Sequence, residues 1–213
     1  MSTPELRIEH VPSICSYGPR PRLMNGLFVQ LLRQLFAAPD LLEEPALRGG
    51  SAPAFWTADP LTSGISIELA TTWKPSTSMA RPALVIRRDP WQVQRQGIGD
   101  RLMGYGANSD GSESFATFIT GSHTIFAIGN DDAPEDIAAE VYRGMIEFGP
   151  VNWPQYQLHR FVVASIGSMG RLQEAGDAYA VPITVAYAFE QSWRITRQAP
   201  YLQRVTISTN LET

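Results

Sequence analysis

A chain of 213 residues, 44% hydrophobic and 18% charged, can bury a real core and is the size of one domain. Its formal net charge of −4 excludes a general nucleic-acid binder, which needs clustered positive charge. The sole cysteine, Cys15, excludes an intrachain disulfide and a cysteine zinc site.

The N-terminus, Met1-Ser2-Thr3-Pro4-Glu5, lacks the basic-then-apolar build of a secretion signal. No apolar run approaches the roughly 20 residues that span a bilayer, so the expectation is a soluble protein made in a reducing compartment. Lys74 is the sole lysine among the basic residues. That arginine bias fits a GC-rich genome, and also an interface, where arginine is enriched and lysine depleted.

Residues 1–22 read as an irregular, proline-containing arm. Met24, Phe28, Leu31 and Leu35 share one helical face, widened by Leu27 and Leu32, and predict a helix over 24–37 capped by Asn25 or an upstream residue and closed by Pro39. Residues 40–58 read as a surface excursion, with a helical turn around Leu41–Glu44. Ile65, Ile67, Leu69, Thr71 and Trp73 alternate with polar or small residues as in a half-buried strand, and Pro82–Arg88 and Trp91–Arg95 predict two more. Residues 97–113, with five glycines, predict a long loop.

Ser114–Thr120 and Thr124–Ile128 predict two strands joined at Gly121-Ser122. They lead into Asp131-Asp132-Ala133-Pro134-Glu135, a capping-box helix start between Asp132 and Glu135. Ile137, Val141, Met145 and Phe148 line one face of the helix that follows, and Gly149-Pro150 supplies the stop. Leu158–Ile166 reads as a strand buried on both sides, and residues 167–178 as a second Gly-rich loop. Val181–Phe189 alternates as a long strand in which Pro182 marks an edge or a bulge, and Gln203–Ile207 is the last strand. The expected fold class is therefore α+β in a single domain spanning residues 1–213. A twisted, mostly antiparallel or mixed β-sheet carries a central amphipathic helix (about 133–148), the N-terminal helix (about 24–37) packed on it, and long Gly-rich loops.

Asp131, Asp132, Glu135 and Asp136 form the densest acidic cluster, but a helix dipole collects carboxylates at its N-terminus without any metal, and no second cluster completes a site. His10, His123 and His159 lack metal-ligand spacing, and no serine sits in a nucleophile elbow. The glycine pairs are not nucleotide fingerprints, and Gly167-Ser168-Met169-Gly170 is a weak match to a nucleic-acid-clamping loop that turn chemistry explains better. No catalytic residue, cofactor or metal is expected.

What remains is interface material. Five tryptophans, Trp56, Trp73, Trp91, Trp153 and Trp193, exceed what one modest core needs. The candidate interface residues are Arg101, Tyr105 and Asn108 in the first Gly-rich loop, Arg171 and Glu174 in the second, and Trp193, Arg194 and Arg197 near the C-terminal strands.

The run Ala83-Leu84-Val85-Ile86-Arg87-Arg88, the strand pair and helix ending at Phe148, Phe161–Gly167, the polar loop and Tyr179–Thr196 together resemble the tail-terminator and neck proteins of tailed bacteriophages over roughly residues 82–207. The likeness is one of element order and texture; the family has no invariant catalytic motif, and the N-terminal portion makes this chain longer than its smaller members. The resemblance implies a non-enzymatic virion protein, made in the bacterial host cytoplasm, that forms a homo-oligomeric ring, typically a hexamer. Such a ring caps the tail tube, joins it to the head connector or stopper protein, and passes duplex DNA through its lumen without specific binding. No membrane is involved, and the Gly-rich loops become contact arms. An adaptor or baseplate subunit is the alternative, with a small hydrolase using Asp132 or His123 behind it.

Overall fold

The computed structural model describes residues 6–9, 21–37, 40, 42–49, 54–74, 81–94, 112–172 and 178–197. Two compact units share the chain. The first comprises Met1–Gly18, Arg95–Phe118 and Gln191–Thr213, and the second Pro19–Gln94 and Ile119–Glu190.

In the first unit, β1 (Leu6–Glu9) pairs antiparallel with the end of β8 (Tyr179–Arg197), from Leu6 opposite Arg197 to Glu9 opposite Arg194. Part of the expected irregular arm is thus a strand. Its Leu-Arg-Ile-Glu alternation is too short to outweigh the flanking prolines when read alone.

The second unit is built on a sheet in the order β6–β8–β5–β3–β2, with β4 also pairing β5 and β7 also pairing β8. Here β2 is Ser66–Leu69, β3 Ala83–Arg88, β4 Gln92–Gln94, β5 Ser112–Gly129, β6 Leu158–Ile166 and β7 Gly170–Arg171. The β2–β3 pair is parallel; β3–β5, β6–β8 and β7–β8 are antiparallel. The fold is α+β with a mixed, mostly antiparallel sheet, as the sequence predicts.

Helix α1 (Pro21–Leu35) starts on a proline, whose fixed φ suits the first turn, and buries Met24, Leu27, Phe28, Leu32 and Leu35 against the sheet. Helix α3 (Ala133–Gln155) buries Ile137, Ala138, Val141 and Met145. The two helices meet where α3 has no side chain: a Cβ on Gly144 would stand 2.6 Å from Leu35 Cδ2. Leu84 and Ile86 of β3, Ile125 and Ala127 of β5, and Val181, Ile183, Val185, Tyr187 and Phe189 of β8 complete this core. The alternate residues Ala83, Val85, Ile128, Ala178 and Ala180 form a second, smaller cluster, flanked by Trp73, Phe126 and Leu172. β3 is therefore buried on both faces through Ile86.

Several expected boundaries move. Helix α3 runs through Gly149-Pro150 and ends at Gln155, and the turn after it places Gln157 at a left-handed φ of 53°. Gly149 is buried facing Phe161 of β6, so packing onto the strand holds the turn that Pro150 weakens. The Glu135 N–H is accepted by the Asp132 backbone carbonyl at 3.0 Å, a plain turn in place of the expected capping box. Asn25 lies inside α1 and caps nothing.

The 40–58 excursion is partly core: Leu42, Leu47 and Ala54 are buried, and α2 forms at Pro45–Gly49, four residues after the expected turn. Strand β2 stops at Leu69, where the N–H groups of Thr72 and Trp73 both turn back to the Leu69 carbonyl. β6 is a half-exposed edge strand, not one buried on both sides. Pro182 sits inside β8 but faces the break between β6 and β7, where its carbonyl accepts from Gly167 N–H, so no partner there demands its missing donor.

The expected hairpin at Gly121-Ser122 is instead the middle of one 18-residue strand. Gly121 is needed for close approach: a Cβ there would lie 2.6 Å from Trp91 Cδ1 and 2.9 Å from the Tyr187 hydroxyl. Gly26, in α1, meets nothing within 4 Å. The two glycines should respond with opposite signs to chemical denaturation. Gly121→Ala should destabilise by about 1–3 kcal/mol through overpacking, and Gly26→Ala should stabilise by up to about 1 kcal/mol through helix propensity.

Candidate functional site

The polar groups of the second unit's core are tied to one another. Trp91 Nε1 donates to the Tyr187 hydroxyl at 2.8 Å across Gly121, and burial pushes the Tyr187 pKa up to about 12, against the opposing pull of that hydrogen bond. His123 is 0% exposed, stacked on Phe28 at 4.2 Å between ring centroids, and its Nε2 lies 2.9 Å from Asn25 Oδ1. Because Oδ1 accepts, Nε2 carries the proton and Nδ1 is a buried lone pair with no donor. Desolvation lowers the His123 pKa to about 4; Asp89 opposes this and Arg88 adds to it. Asp89 itself accepts from Ser122 Oγ and Thr124 Oγ1, both at 2.9 Å, and pins the chain between β3 and β4 to β5.

A second anchor is Glu140, 2% exposed on α3. Its Oε2 accepts from the backbone N–H groups of Glu43 at 3.1 Å and Glu44 at 3.4 Å, and its Oε1 accepts from Arg143. Arg143 also reaches Glu147 at 2.7 Å and Glu43 at 3.7 Å. One carboxylate thus fastens the segment leading into α2 onto α3.

Against this closed interior stands the outer face of α3. Asp132, Glu135, Ala139, Tyr142, Ile146 and Pro150 follow one another at steps of three or four residues and are all exposed, so they form a single row along the helix. The row is acidic at its start and apolar beyond: Tyr142 is 41% exposed, Ile146 49% and nearby Val151 60%. Asp136 beside it has its carboxyl pKa raised, first by partial burial and then by Glu44, Asp132 and Glu135. Helix α3 packs on β6, which among the described residues pairs with β8 alone and ends on exposed Ile166.

The other sheet edge, β2, is finished differently. Arg33 Nη2 donates to the Ile67 carbonyl at 3.3 Å and Ser63 Oγ to the carbonyl of Ile65, just before the strand, at 2.7 Å, so the chain's own side chains occupy acceptors at this edge. Beside it lies an open cleft of about 250 Å³ lined by residues that include Arg33, Trp56, Pro60, Ser63, Glu68 and Arg81.

The expected interface residues are only partly placed. Arg171 is exposed in β7, opposite Tyr179. Trp193, Arg194 and Arg197 lie in β8, the two arginines opposite Glu9 and Leu6. Arg101, Tyr105, Asn108 and Glu174 lie outside the described residues, as do His10, Cys15 and the Gln203–Ile207 strand. Trp56 and Trp91 pack against the unit's main core and Trp73 against its smaller cluster. Asp132 and His123 do not converge: the carboxyl is exposed, while the imidazole is sealed against Asn25 and Phe28. Among the described residues no group of three or more His, Cys, Asp or Glu side chains could hold a metal ion, and no helix is long and apolar enough to cross a membrane.

Glu140 and the exposed α3 row escaped the sequence reading. The row was legible as the polar-side complement of Ile137, Val141 and Met145, carrying Tyr142 and Ile146 where solvent-facing residues are expected; Glu140 carried no local signal.

Two measurements check these anchors. The folded protein holds His123 neutral down to about pH 4 and the unfolded chain binds the proton near 6.5, so stability is fully present above 6.5 and falls as pH drops from 6.5 towards 4. Urea midpoints across that window should show a loss of roughly 3 kcal/mol that is absent in His123→Gln. Glu140→Ala should cost about 2–3 kcal/mol by orphaning the Glu43 and Glu44 N–H groups and removing one acceptor of Arg143. Compared with known proteins, the chain matches no family model and no curated protein.

Proposed function

We propose that the protein is a structural subunit that assembles with copies of itself, and that the assembly is the ring of a tailed-bacteriophage neck or tail terminator. The observation that carries self-assembly is the row Ala139, Tyr142, Ile146 with Val151, an apolar strip on the solvent side of α3 beside the open β6 edge. Exposed apolar side chains in a continuous patch mark contact surfaces. The phage assignment is supported by the resemblance in element order alone; the described chain keeps β3, α3, β6 and β8 in that succession but has the single strand β5 where the resemblance places a strand pair. In this reading the ring caps the tail tube, meets the head connector, and lets duplex DNA pass through a lumen that does not grip it.

The two sheet edges of the second unit, β6 and β2, carry different surfaces, so neighbouring copies would join head to tail, the kind of contact that closes into rings. Sedimentation velocity with negative-stain imaging checks this: the full-length protein should form one discrete cyclic oligomer and decorate the ends of isolated tail tubes. Tyr142→Arg with Ile146→Glu should leave a folded monomer. A wild-type protein that remains monomeric at high micromolar concentration, or ignores tail tubes, overturns the proposal.

A further inference from the structure

The cleft beside β2 holds two guanidinium groups that lack an acidic partner among the described residues. Arg33 stacks on Trp56, with Cζ 4.8 Å from the ring centroid, and spends one Nη2 donor on the Ile67 carbonyl. Its Nε is buried with no hydrogen-bond partner. Arg81 donates from Nη1 to the carbonyls of Pro60 and Ser63, the latter at 3.1 Å. Both side chains are thereby held in place with donors left over, while Glu68, the carboxylate in the lining, accepts from Ser66 Oγ at 2.7 Å. A guanidinium fixed by backbone carbonyls and an aromatic face has little conformational freedom left to lose, and its remaining N–H groups suit a carboxylate. At the rim stands Leu61, 94% exposed and next to the Pro60 carbonyl that Arg81 grips.

The same chain displays the matching surface. Along the outer row of α3 the acidic pair Asp132 and Glu135 comes first and the apolar residues Ala139, Tyr142 and Ile146 follow. Ala139 and Tyr142 lie about 6 and 10 Å along the axis from Glu135 at the helical rise. A cationic cleft with an apolar rim therefore faces the same two chemistries in the same succession.

We propose that the cleft at β2 receives the outer row of α3 from a second copy of this chain, Arg33 and Arg81 taking the carboxylates of Asp132 and Glu135 while Leu61 rests on Ala139 and Tyr142. This rests on the self-assembly reading above and names both halves of its contact. The crowding of Asp132, Glu135, Asp136 and Glu44 is relieved when the cations arrive.

The test uses charge exchange in the full-length protein, with circular dichroism reporting folding and sedimentation velocity reporting assembly. Arg33→Glu with Arg81→Glu, and separately Asp132→Arg with Glu135→Arg, should each weaken self-association by at least about tenfold. Mixed in equal amounts, the two variants should co-assemble, since the reversed cleft of one accepts the reversed helix of the other and the two native surfaces also match. Because Arg33 supports Ile67, the fold is guarded by a second variant: Leu61→Asp, at a side chain almost wholly in solvent, should also weaken assembly. Rising salt should loosen the wild-type oligomer.

If wild type assembles and the charge variants or Leu61→Asp assemble equally well, or the folded mixture stays apart, this contact is wrong while the self-assembly reading stands. A wild-type protein that never associates overturns both.

Discussion

The second unit depends on one buried hydroxyl. Tyr187 is enclosed on β8 among Phe28, His123 and Phe189, and its hydroxyl, removed from water without a partner, would forfeit about 1–3 kcal/mol of what the ring gains by burial. Trp91 supplies the donor, and to reach it the indole must lie flat across the β5 backbone, which is why position 121 carries no side chain. Satisfying that bond fixes where the chain goes after β3: Asp89 accepts from Ser122 and Thr124, Trp91 crosses β5 with its edge against Phe189, and β4 pairs further along the same strand. Helix α1 closes the cluster by stacking Phe28 on the imidazole and offering Asn25 to it.

This explains which parts of the fold could be read from sequence. Amphipathic periodicity is a local signal, and it located α1 and the first four turns of α3 because Met24, Phe28, Leu35, Ile137, Val141 and Met145 bury the face their spacing implies. A glycine demanded by a tryptophan thirty residues upstream looks identical, in one dimension, to a glycine demanded by a hairpin, so Gly121-Ser122 carries a turn signal that the strand overrides. Gly149-Pro150 misled for the same reason: local propensity disfavours helix there, and Phe161 on the following strand outweighs it.

The site is less legible still. A carboxylate with two backbone N–H partners almost a hundred residues away leaves no trace in spacing, so nothing around Glu140 in the sequence sets it apart from the other acids of the helix. The expected contact residues rest on composition, Gly-rich loops with arginine and aromatic content, whereas the described surface carries its apolar strip on a regular element. Tyr142 and Ile146 stand on the side of α3 that its own periodicity assigns to water. An exception of that kind is informative only after the core-facing side is fixed, because until then either face could be the buried one.

The contrast between the sheet's two edges carries the argument furthest. A bare edge strand invites pairing with any other strand, and β2 is guarded by Arg33, which occupies its Ile67 carbonyl, and by Ser63, which occupies the Ile65 carbonyl just before it. The cost is an arginine held beside a cleft with donors unspent and Nε unpartnered. Protecting an edge with a guanidinium thus converts a promiscuous backbone surface into a selective cationic one, and selectivity of that kind favours a partner that brings carboxylates over one that brings a strand. At the other edge, β6 is left to α3, whose exposed row begins with the carboxylates and continues with apolar side chains. In the self-assembly proposed above, two edges so unlike would not be satisfied by pairing like with like, and repeated use of the unlike pair would generate a closed or helical array.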